Sequence, residues 1–186
     1  MMNRRDILRF LGAAALAPMA GSLSAEERWR LGRRLHRQAG LGQAGRALSA
    51  EQLVQVRAMA ATIIPATDTP GAVEVGAPEF VDLLLAEWYP EGERQRVLAG
   101  LDELESRCRT RFGKPLAELG EEERRAFLGT VDGSRGEPGS AEDAYGRVKD
   151  GLVYGFITSK PIAELTRTTP IIPGRFDGCV PLRSRP

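Results

Sequence analysis

Three observations predict an all-α protein. Apolar residues recur at spacings of three and four along most of the chain, strand-like alternation is nearly absent, and prolines and glycines punctuate the ends of the periodic runs. The expected architecture is a compact bundle of about five helices with long Pro/Gly-rich loops and a non-helical C-terminal tail. A hydrophobic fraction of 42% beside 27% charged residues suits one globular domain with its own core rather than a disordered chain. Residues 1–22 read as a signal peptide, 23–48 as a basic N-terminal arm and 49–186 as the helical domain.

The chain opens with Arg4 and Arg5, a variable Asp6, the apolar pair Ile7 and Leu8, and the basic Arg9, which is the pattern of a twin-arginine export signal. From Phe10 to Ala20 there is no charge, a stretch suited to the apolar core of a leader and too short for a comfortable membrane span. Small residues then offer cleavage after Ser22 or, less well, after Ala25. The arm that follows is basic and interrupted by glycine; Trp29, Leu31 and Leu35 give it enough apolar character for a short helix.

Ser49 followed by Gln52 forms a capping box, in which the hydroxyl and the amide satisfy backbone donors of a first helical turn. The first helix of the domain starts there. Val56, Met59, Ala60, Ile63 and Ile64 give it one apolar face until Pro65 stops the ladder. The loop from Pro65 to Gly76 is rich in turn-forming residues. A second helix over Ala77–Tyr89 presents Phe80, Leu83, Leu84 and Trp88, and Pro90 closes it. A third carries Val97, Leu98, Leu101, Leu104 and Cys108 in one stripe, which turns the thiol inward. A fourth spans Leu119–Thr130 with Phe127 and Leu128 inward, and a Gly/Ser/Pro loop follows to Ser140. The fifth runs from Ala141 to about Ile157 on Tyr145, Val148, Leu152 and Phe156; Pro161, Pro170, Pro173 and Gly174 predict a non-helical chain from Ser159 onward.

Catalytic chemistry is hard to assemble from this sequence. A formal net charge of +1 offers no basic footprint for nucleic acid. Two cysteines and one histidine are too few for zinc or haem-attachment patterns. Phosphate-binding, nucleophile-elbow and HExxH signatures are missing. His36, in the basic arm, reads as part of a solvated face. Glu121, Glu122 and Glu123 complement the dipole of a helix start. Asp68 and Asp82 flank a turn and would serve a stand-alone enzyme as paired carboxylates, but Asp68 in its Thr-Asp-Thr-Pro turn has a structural task in bonding nearby backbone N–H groups. In an oxidising compartment Cys108 and Cys179 are candidates for a disulfide closing a loop of about 70 residues, worth roughly 4 kcal/mol in the chain-entropy treatment. The other reading keeps Cys108 as a small core residue and pairs Cys179 across an interface. No catalytic, cofactor or metal residue is assigned. A ligand carrier built around an apolar cavity is the alternative function.

Three separated blocks resemble one family. Ile63-Ile64-Pro65-Ala66-Thr67-Asp68-Thr69-Pro70-Gly71-Ala72, with Phe80-Val81-Asp82 beyond it, is similar to the signature of the gluconate 2-dehydrogenase subunit 3 family. Tyr154-Gly155-Phe156-Ile157-Thr158-Ser159 resembles its Gly-aromatic-aromatic-Thr-Ser segment, and Pro173-Gly174-Arg175-Phe176-Asp177-Gly178-Cys179-Val180-Pro181-Leu182 its closing Pro-Gly and Gly-Cys-Pro-Leu elements. The resemblance implies a non-catalytic small subunit of a periplasmic, membrane-associated dehydrogenase complex. Its large partner would bind FAD and oxidise a sugar or polyol as a glucose-methanol-choline type enzyme, and a multihaem cytochrome c would be a third member. It also implies that the leader carries the folded flavoprotein through the twin-arginine translocase. The loops holding Asp68, Thr69, Pro70 and Gly71, and Pro173, Gly174, Phe176, Gly178 and Cys179, together with Tyr154 and Phe156, are then interface candidates. The same loops folding back to cap the helical core is the alternative for them.

Overall fold

The structure, a computed structural model, describes residues 25–40, 46–134 and 136–166. The leader residues Arg4, Arg5, Ile7 and Leu8 and the closing elements from Pro173 to Cys179 lie outside the described residues. The described chain is all-helical: α1 (Ala25–Gly40), α2 (Ala50–Ile63), α3 (Ala77–Glu87), α4 (Glu91–Phe112), a 3₁₀ turn (Leu116–Glu118), α5 (Glu121–Gly129), α6 (Ala141–Thr158) and α7 (Lys160–Thr166). The five expected helices correspond to α2 to α6; α1 and α7 are additional.

Helix α7 corrects the expectation of a non-helical chain from Ser159. Pro161 sits in its first turn, where the missing N–H costs nothing because no intrahelical acceptor exists there. Ser159 separates the two helices in an extended conformation, and its carbonyl accepts from Ala163 N at 2.9 Å. The capping box at Ser49 forms as the sequence indicates, with Ser49 Oγ accepting from Gln52 N at 3.1 Å and Gln52 Oε1 accepting from Ser49 N at 3.1 Å.

The core is one contiguous cluster in which α3 and α6 are central. Val56, Met59, Phe80, Leu83, Val97, Leu101, Leu104, Cys108 and Leu152 are fully buried within it. Helices α4 and α6 approach so closely that a Cβ on Gly100 would lie 2.6 Å from the Ala144 Cβ. Two buried amides tie α2 to α4: Gln55 Nε2 donates to the Leu101 carbonyl at 3.0 Å, and Gln52 Nε2 to Asp102 Oδ1 at 2.8 Å. Arg124 on α5 donates to Thr62 Oγ1 of α2 at 2.6 Å. The acidic start of α5 acts locally, with Glu123 Oε2 accepting from Gly120 N at 3.3 Å and Glu121 pairing with Arg125 at 2.6 Å.

Candidate functional site

Residues from two of the three resembling blocks, Phe80 and Asp82 in the first and Tyr154 and Thr158 in the second, meet at the seat of α1 and the segment after it. Phe80 opens α3 after a left-handed Gly76 and the helix-starting Ala77-Pro78 pair, and its ring is fully buried. On α6, a Cβ at Gly155 would lie 2.9 Å from Phe80 Cδ1, and one at Gly151 3.1 Å from Val81 Cγ2. Glycine at these two positions is what lets α6 cross α3 at contact distance. Tyr154 borders the same ring, with centroids 5.8 Å apart.

Helix α1 closes this cluster from outside. His36 stacks on Phe80 with ring centroids 4.6 Å apart and an interplanar angle of 30°. Its Nε2 lies 2.6 Å from Thr158 Oγ1, and Thr158 Oγ1 donates to the Tyr154 carbonyl at 2.6 Å. The hydroxyl has one proton, already committed to that carbonyl, so Nε2 carries the proton of the imidazole bond and Thr158 accepts it. Burial lowers the His36 pKa below its ordinary value, which favours the neutral ring. His36 is therefore half-buried and engaged, in correction of its reading as part of a solvated face. Leu35 beside it is fully buried, and a Cβ on Gly32 would lie 3.3 Å from the Tyr154 hydroxyl.

A second fastening lies at Asp82. Its carboxylate, fully buried, accepts from three consecutive backbone amides that follow α1: Arg46 N at 3.0 Å, Ala47 N at 3.0 Å and Leu48 N at 2.7 Å. At the end of α3, Glu87 pairs with Arg34 at 3.1 Å and with Arg46 at 2.8 Å. Asp82 is thus occupied by structural bonds rather than presented to solvent.

The 65–76 loop is held by its own backbone. Ala72 N donates to the Ile64 carbonyl at 3.0 Å, and Gly71 lies so close to the start of the loop that a Cβ there would be 2.6 Å from Ala66 N. Asp68 accepts from the Thr67 hydroxyl at 2.9 Å; the acceptor for the Gly71 amide is Glu74, at 3.0 Å, so the backbone-bonding task expected of Asp68 belongs to Glu74. Asp68 and Thr69 are exposed, Pro70 is half-buried and Gly71 is buried. Phe156 is half-buried against the core.

Cys108 carries a free, buried thiol whose Sγ lies 3.5 Å from the Lys114 carbonyl, and burial followed by the nearby Glu105 charge pushes its pKa up to about 11. Cys179, the other half of the candidate bridge, lies outside the described residues. A cleft of about 440 Å³ between the start of α2, the middle of α4 and the 3₁₀ turn is open to solvent; Val54 lines it together with Glu51, Asp102 and Arg109. Ala50, Pro115 and Ala117 add to an apolar lining edged by these charged groups. Among the described residues no group of three or more His, Cys, Asp or Glu is placed to hold a metal ion, and no helix is long and apolar enough to cross a membrane.

The sequence missed His36 and Gly32 as parts of this seat. The available signal was the face formed by Leu31, Gly32, Leu35 and His36 at helical spacing, opposite the arginines. A family model described as Gluconate 2-dehydrogenase subunit 3 matches residues 50–174, more than half of the chain. No curated protein and no solved structure matches.

Proposed function

Because the chain belongs to the gluconate 2-dehydrogenase subunit 3 family, we propose that it is the non-catalytic small subunit that escorts, assembles and stabilises a flavin-dependent sugar or polyol dehydrogenase of the glucose-methanol-choline type. The family match over residues 50–174 is the observation that carries this reading. The geometry supports it: His36 and Asp82, two groups that acid-base chemistry would draw on, are engaged in fastening α1 and the segment after it to the core. FAD belongs to the large partner subunit in this reading, and haem c to a cytochrome third member. The Arg4-Arg5 leader would take the assembled, flavin-loaded pair through the twin-arginine translocase to the periplasm, where the complex lies at the membrane.

The test is export of the pair. Replacing both Arg4 and Arg5 with Lys should leave this chain and its flavoprotein partner in the cytoplasm on fractionation. A partner that still reaches the periplasm would remove the escort role.

A further inference from the structure

We draw no further inference here: the strongest candidate, the cleft between the start of α2, the middle of α4 and the 3₁₀ turn, where the exposed Val54 lies beside Ala50, Pro115 and Ala117 within a rim of Glu51, Asp102 and Glu118, carries none because nothing among the described residues shows what covers it.

Discussion

Asp82 illustrates how much one buried side chain can decide. Its carboxylate is the acceptor for three successive amides, and Asp82→Ala would leave those donors without their acceptor at a fully buried site. The expected loss is about 3 kcal/mol in urea unfolding, with Asp82→Asn losing less because one acceptor oxygen remains. His36 makes a prediction in pH. Its folded pKa lies below the ordinary 6.5 because burial disfavours the imidazolium, so the unfolded chain takes up the proton first as pH falls. The contribution of the neutral ring is fully present above pH 6.5 and is lost as pH drops below that value toward the folded pKa. Melting temperature should therefore fall more steeply from about pH 7.5 to 5.5 in the wild type than in His36→Gln, which cannot titrate there. Parallel profiles would show that the imidazole is not buried as described. Neither residue's role was legible in the sequence: the Asp82 partners lie 34 to 36 positions away and Thr158 lies 122 positions from His36, beyond the reach of local pattern.

At the scale of elements, local signals carry through to the fold, as the Ser49–Gln52 box and the stripe from Val97 to Cys108 show. What fails is a rule applied without its position. Pro161 signals a break inside a helix but is tolerated in the first turn of α7. Helix α1 reads from sequence only as a short helix or an arm, because glycines interrupt the segment and arginines dominate its composition. The crossing of α3 and α6 depends on two glycines whose need is visible only once the helices are packed. Gly155→Ala gains up to about 1 kcal/mol of helix propensity and costs about 1–3 kcal/mol of overpacking. The cost should win, because the group it meets, Phe80, is fully buried and held between His36 and Tyr154. Gly146 on the same helix has open space around it, with nothing within 4 Å of where a Cβ would stand, so Gly146→Ala should stabilise by up to about 1 kcal/mol. Opposite signs in thermal melting would separate contact from propensity; a stabilised Gly155→Ala would mean that the two helices are not in contact.

For the whole molecule, the boundary of the folding unit differs from the boundary of the recognisable sequence. The family match starts at residue 50, and sequence pattern places the domain from 49, yet Leu35 and Leu48 belong to the same core cluster as Phe80 and Leu152. Fold class and the main helices were readable because each rests on its own periodicity. The docking of α1 was not, because its anchors are spread over α3, α6 and the segment after α1 itself. A chain of residues 46–186 keeps the three amides that bind Asp82 and removes only α1, which uncovers Phe80 and deletes Leu35 from the core. At about 2 kcal/mol for each of these two side chains, it should be about 4 kcal/mol less stable than a chain of residues 25–186. That corresponds to a melting temperature roughly 10 °C lower for a domain of this size. Starting at residue 49 instead also removes the Asp82 partners, and the loss should be larger again. Equal melting of the 25–186 and 46–186 chains would make α1 an appendage, and the seat formed by Phe80, Tyr154 and Thr158 would then be a surface left open for another helix.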